Sequence, residues 1–254
     1  MAILISPTPR AGAISAAAML STWLDAGELA VLGVATGSSP SSLYEELVRG
    51  GHPFLSELTV FALDEYLGLP PGHSESYRSV INREIAIPFH LDQSRVHVPG
   101  EGAPEAYEAA IVEHFGVDVQ LLGIGSNGHI GFNEPGSRFD SRTRQVALAE
   151  STRVANARFF NSLGEVPTHA VTQGIGTILD ARRLLVLAFG ATKASAVAAA
   201  LEGPLTEDLP ASALRDHSDV TWILDTAAAE RLSPAALQVD FERSSHPRTV
   251  GGAS

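Results

Sequence analysis

The chain has 254 residues, 44% of them hydrophobic and 18% charged, with no cysteine and a formal net charge of −12. Such a length buries a substantial core and such a balance excludes a disordered chain, while the missing cysteines exclude a disulfide framework, a thiolate metal site and a cysteine nucleophile. The negative charge opposes nonspecific attraction to nucleic acid and anionic membrane, so neither is expected as a partner, and any anionic ligand needs a local positive pocket.

The first residues, MAILISPTPRAGAISAAAML, lack a basic n-region, and no apolar run approaches the ~20 residues that cross a bilayer. No export or membrane insertion is expected, and a cytoplasmic location is. A nearly unbroken apolar run predicts a buried strand over 30–35. Thr36-Gly37-Ser38-Ser39-Pro40 follows, with Ser39 as N-cap and Pro40 as the first residue of a helix reaching 49. Small residues entering a helix can present N–H groups and hydroxyls to an anion at the positive end of the dipole, although the same residues also make an ordinary capped turn. Neither common nucleotide-binding glycine motif is present.

A second strand is predicted over 58–63, and Asp64-Glu65-Tyr66 follows directly upon it. A carboxylate at a strand end is placed for proton abstraction, while paired acids in a loop also serve as solvated or capping groups. Of the two, Asp64 is nearer the strand. Helical stretches over 76–85 and 104–115 lead to a third strand over 118–124.

The loop at 123–135, GIGSNGHIGFNEP, is the richest in chemistry, with Asn127, His129 and Glu134 in close succession. Its glycines permit close-packed backbone, an imidazole suits reversible proton transfer, and a neighbouring carboxylate can orient the ring. No second histidine stands at ligand spacing, which weakens a metal reading.

Helical stretches at 150–160, carrying Arg158, and at 174–179 precede a strand over 184–189. Gly190-Ala191-Thr192-Lys193 then opens a helix over 193–202. A cation at a helix N-terminus opposes the dipole, a conflict that an anionic ligand removes. Arg158 is a second candidate partner, able to make bidentate contacts. The last predicted strand covers 220–224, and after about residue 237 the pattern lapses.

This alternation predicts an α/β fold: a single doubly wound, mostly parallel, Rossmann-like sheet with helices on both faces. Residues 1–237 form one domain, and 238–254 form a polar, loosely ordered tail. The chemistry-bearing segments all follow strands, and in open α/β sheets ligands bind at the carboxyl ends of strands, so these loops can share one crevice.

LGVATGSSP, LDEYLGL, LLGIGSNGHIGFNEPGSRFDSRTR, TRVANARFF, the segment from Gly174 to Asp180 and EDLPASALRDHSDVTWILD together resemble the glucosamine-6-phosphate deaminase family. GHIGFNEP combined with DEY is highly specific to it. The resemblance implies ring opening of glucosamine 6-phosphate, proton transfer from C2 toward C1 through an enolamine, and loss of ammonia to give fructose 6-phosphate. It implies no cofactor and no metal. Asp64 would be the base at C2, His129 would transfer the ring-opening proton, Glu134 would support the histidine, and Asn127 would occupy the remaining ring-opening position, where some members carry aspartate. Thr36, Gly37, Ser38, Ser39, Arg158 and Lys193 would surround the phosphate.

Some members are hexamers activated by N-acetylglucosamine 6-phosphate through basic residues after the FNEP loop. This chain keeps Ser137 and Arg144 but has Val146 where those members carry lysine, so an unactivated enzyme, a monomer or a homo-oligomer, is expected. Competing readings are a lactonase, an isomerase of another amino-sugar phosphate such as galactosamine 6-phosphate, and a non-enzymatic sugar-phosphate sensor. The sensor lacks an evident helix-turn-helix output segment.

Overall fold

The computed structural model describes residues 1–236; the tail expected at 238–254 lies outside them. In chain order the strands and helices are β1 (Ala2–Ser6), α1 (Pro9–Asp25), β2 (Val31–Val34), α2 (Ser38–Gly50), β3 (Thr59–Ala62), β4 (Asp64–Leu67), α3 (Tyr77–Ile81), α4 (Ile87–Phe89), β5 (Val96–His97), α5 (Pro104–Glu113), β6 (Val119–Gly123), β7 (Arg144–Ala147), α6 (Glu150–Asn156), β8 (His169–Thr172), α7 (Ile175–Leu179), β9 (Arg183–Ala188), α8 (Ala194–Glu202) and β10 (Val220–Asp225).

Seven strands form one parallel sheet in the order β1-β10-β9-β6-β2-β3-β5. The five expected strands are β2, β3, β6, β9 and β10, the inner part of that sheet. Their apolar runs are unbroken because both faces are covered. Along β9, Leu184, Val186 and Ala188 enter one core with Trp222 and Phe61, while Leu185 and Leu187 enter the other with Leu32, Val60 and Ile223. Successive side chains of a strand thus feed opposite layers.

Two parts of the architecture depart from the sequence expectation. The edge strands β1 and β5 and the helix α1 are not among the predicted elements. Helix α1 buries Ala13, Ala16 and Ala17 along with Leu20 and Leu24, so much of its core face is alanine and reads as only weakly amphipathic. It carries the capping signals nonetheless: the Thr8 hydroxyl accepts the Ala11 N–H at 3.2 Å, and Pro9 is the first helical residue. The second departure is a three-stranded antiparallel sheet, β4-β8-β7, set beside the main one. Its strands contain Asp64, Glu65, Arg144, Gln145 and His169, which hide the apolar pattern.

That small sheet positions chemistry. β4 continues almost directly from β3, so Asp64 begins a strand rather than a loop, paired with Thr172. The Thr172 hydroxyl accepts the Phe132 N–H, and the Asn133 amide donates to the Gln173 carbonyl at 2.8 Å, fastening the FNEP loop to the same strand. The Gln173 N–H in turn donates to the Leu63 carbonyl at 2.8 Å. No helix among the described residues is long and apolar enough to cross a membrane.

Candidate active site

Within the main sheet the chain runs from β2 outward through β3 to β5, and from β6 the other way through β9 and β10. At such a reversal the connections leave the sheet on opposite sides and a crevice opens at the carboxyl ends of the strands. A cleft of about 770 Å³ lies there, and Thr36, Gly37, Ser38, Ser39, Asp64, His129, Arg158 and Lys193 all line it. Four segments distant in sequence therefore meet, as expected. Asn127 and Glu134 are the two predicted residues that do not line it; they stand behind His129.

The first wall differs from expectation in its cap. Helix α2 starts at Ser38, two residues earlier than predicted, and the N-cap is Gly37 rather than Ser39. Gly37 has φ 110°, a left-handed value that glycine adopts freely, and no side chain caps the helix. Ser38 and Ser39 occupy the first helical turn, whose N–H groups face the positive end of the dipole without a capping oxygen.

Asp64 is 6% exposed, and burial, reinforced by the nearby Glu65 carboxylate, pushes its carboxyl up to about 8. Glu65 has a different task. Its Oε1 accepts the N–H groups of Tyr66 and Tyr77 at 2.7 and 2.8 Å, and its Oε2 accepts that of Arg78 at 2.8 Å, so it anchors the start of α3. Of the two adjacent acids only Asp64 is left for chemistry. It sits among Tyr66, Tyr77 and Phe132, whose rings lie 4.7 to 6.0 Å apart, and burial raises both tyrosine hydroxyls. A carboxyl in so apolar a frame is a stronger base than an ordinary aspartate.

The histidine loop closes on itself: the Gly125 N–H donates to the His129 carbonyl at 2.8 Å. A Cβ on Gly125 would stand 2.3 Å from the imidazole, so only glycine lets the ring lie against this backbone. His129 Nδ1 is 3.5 Å from Glu134 Oε2, an ion-pair distance slightly long for a hydrogen bond, and no other partner meets that nitrogen. Asn127 donates to the same Oε2 at 2.8 Å and accepts the His129 N–H at 3.2 Å. The Thr152 hydroxyl donates to Oε1 of Glu134. Burial alone would raise Glu134, but the His129 imidazole beside it and the hydrogen bonds from Thr152 and Asn127 outweigh this and hold the carboxyl at about 2. Glu134 is a fixed anion behind the imidazole.

Across the cleft, burial and then the neighbouring Arg158 lower the Lys193 ammonium below its usual range. Among the described residues neither cation is ion-paired to an acid, although the chain has 29 acidic residues to 17 basic ones. Two cations without an acidic partner, in a cleft that the α2 N-terminus also lines, give it a positive wall, the feature an anionic ligand requires in so acidic a protein.

Reading by sequence missed Tyr77, Thr152 and Asn156. The signal for the last two was their spacing of four in a helical stretch, which places them on one face with Arg158 just beyond.

The model of the glucosamine-6-phosphate isomerases/6-phosphogluconolactonase family matches residues 9–222, a span containing every element of the cleft. The chain is 52% identical over 222 residues to the glucosamine-6-phosphate deaminase of Pseudarthrobacter chlorophenolicus, covering 84% of each. It is 49% identical over 245 residues to that of Rhodococcus jostii, covering 92% of this chain and 94% of the relative. Among solved structures, a monomeric glucosamine-6-phosphate deaminase has 41% identity and a TM-score of 0.87, over 91% of this chain and all of that one. The 6-phosphogluconolactonase of Trypanosoma brucei, at 22% identity and a TM-score of 0.71, shares the fold over 91% of this chain and 98% of its own. With the match running through all four walls of the cleft, the chain belongs to the glucosamine-6-phosphate isomerase/6-phosphogluconolactonase family.

Proposed function

We propose that this chain is a glucosamine-6-phosphate deaminase, converting glucosamine 6-phosphate and water to fructose 6-phosphate and ammonia. The observation that carries the reading is that one cleft holds a buried basic carboxyl, an imidazole backed by a fixed anion, and two unpaired cations. The phosphate binds between the α2 N-terminus, with Ser38 and Ser39, and the Arg158–Lys193 pair. His129 passes the C1 hydroxyl proton to the ring oxygen, and the pyranose opens to the aldehyde form. Glu134 stabilises the imidazolium formed on the way, and Asn127 holds Glu134. Asp64 then takes the C2 proton, the C–H electrons form the C1–C2 double bond as the carbonyl pair moves onto O1, which takes a proton from the neighbouring ammonium, and the enolamine is protonated at C1. Water adds to the resulting imine carbon at C2, and ammonia departs.

Ammonia and ketose phosphate released in equal amounts from glucosamine 6-phosphate are the expected result of a coupled assay. Turnover of galactosamine 6-phosphate alone, or hydrolysis of 6-phosphogluconolactone without ammonia release, would overturn the reading.

The pH dependence follows from Asp64. Only the carboxylate accepts a proton, and in the free enzyme it forms as pH rises through about 8. The kcat/KM profile is therefore expected to climb on the acid side until about that pH. In the complex the substrate's C2 ammonium lies beside Asp64 and favours the carboxylate, so the corresponding limb of kcat falls at lower pH.

The reading includes a small-molecule substrate, a cytoplasmic location and action as a monomer without an N-acetyl sugar phosphate activator. Arg144 donates to Asn133 at 2.9 Å and Ser137 is its next neighbour at 3.4 Å, with Val146 adding no second cation along β7. Initial rates against substrate are expected to be hyperbolic and unchanged by N-acetylglucosamine 6-phosphate, with a single species of about 27 kDa in sedimentation.

A further inference from the structure

Glu134 is held from two sides, and only one of them belongs to its own loop. Asn127 donates to Oε2 from within the loop, whereas Oε1 is held by the Thr152 hydroxyl on α6. Thr152 is 6% exposed. Its hydroxyl serves no helical purpose: the N-cap is Ala149, with no side-chain cap, and the hydroxyl makes no bond back to a preceding carbonyl.

The segment that carries it touches the cleft at three points. Thr152 reaches Glu134, Asn156 donates to the Tyr66 hydroxyl at 2.8 Å beside Asp64, and Arg158 lies in the following turn, next to Lys193. On its other side the segment is pinned by Arg153, which donates to the carbonyls of Leu163 and Val166 at 3.2 and 3.3 Å. The imidazole depends on this arrangement, since its Nδ1 has only Glu134 within reach at 3.5 Å and a small carboxylate rotation makes or breaks that bond.

We propose that Thr152 is a positioning residue for the reaction: its hydroxyl fixes the Glu134 carboxylate that orients His129, and ties the phosphate end of the cleft to the proton-transfer end. The proposal rests on the deaminase reading above. Valine at 152 keeps the branched shape and removes the donor, whereas serine keeps the donor and removes a methyl group. Thr152→Val is expected to lower kcat about ten- to thirty-fold with KM changed less than about threefold, because the phosphate contacts stay and the geometry of proton transfer loosens. Thr152→Ser is expected to stay within about threefold of wild type, and Thr152→Ala, which adds no bulk, serves where valine disturbs the fold.

In a Glu134→Ala background, Thr152→Val is expected to change kcat by less than about twofold, since the group it positions is gone. Wild-type kcat in Thr152→Val, an equal loss in the serine variant, or the full valine penalty without Glu134 would each overturn the positioning role. A wild type that releases no ammonia from glucosamine 6-phosphate would instead refute the functional reading, which is seen before any variant is compared.

Discussion

Asp64→Asn is expected to reduce turnover by three orders of magnitude or more while leaving substrate binding nearly unchanged. Asparagine matches aspartate in volume and removes a buried acid of the cleft that is free to take a proton; its neighbour Glu65 is committed to three backbone N–H groups at the start of α3. Loss of a positioned general base alone costs about 10²–10⁴ in rate. Stopped-flow or coupled measurement of kcat, with binding of fructose 6-phosphate followed by calorimetry, separates the two effects. Turnover within tenfold of wild type would remove Asp64 from the chemistry.

The same substitution is expected to stabilise the empty protein. In the unfolded chain an aspartate titrates near its reference value of 3.8, whereas the folded chain holds Asp64 up to about 8. Between those values the native state keeps a proton that the unfolded state has released, so stability declines as pH rises across the window, and the full penalty is reached above it. Asparagine has no such penalty. The variant should melt together with wild type near pH 4 and progressively above it toward pH 8, by several degrees, a gain on the order of a few kcal/mol. Activity and stability thus move in opposite directions at one position, as expected where function requires a buried charge.

The parallel sheet was legible because its inner strands are buried on both faces and therefore read as continuous apolar runs. The cleft was legible because polar residues follow those runs at one end of the sheet. What stayed hidden has physical causes. Helix α1 buries a mainly alanine face, so its periodicity is faint. The antiparallel strands β4, β7 and β8 carry the charged and polar residues that would mark loops, and β7 is only half covered. The cap of α2 was misplaced because Ser39-Pro40 is a good start signal, but Gly37 reaches the left-handed conformation and lets the helix begin earlier. The behaviour of Glu65 was not readable at all, since its partners are backbone N–H groups that become neighbours only on folding. Thr152 stayed hidden for the same reason: its partner lies 18 residues away, on the histidine loop.

The Arg158–Lys193 pair gives the second large effect. Burial lowers the Lys193 ammonium and the like charge of Arg158 lowers it further; a lysine titrating lower in the fold than in the unfolded chain makes the native state bind fewer protons, so it detracts from stability at neutral pH. Among the described residues neither cation has an acidic partner, only the Phe159 ring facing Arg158 at 4.7 Å, and the dipole of α8, which begins just after Lys193, opposes the ammonium as well. A dianionic phosphate reverses each of these terms, gaining charge-assisted bonds from both side chains and from the α2 N-terminus. Replacing Arg158 with Leu and Lys193 with Met together is therefore expected to lower kcat/KM by about 10³–10⁴, mainly through KM, because the phosphate is held equally in ground and transition states. Inorganic phosphate should raise the melting temperature of wild type and inhibit it competitively, and do neither to the double variant. Without phosphate the double variant should melt above wild type. If it melted lower, the cations would be structural, and the phosphate would have to be sought elsewhere in the cleft.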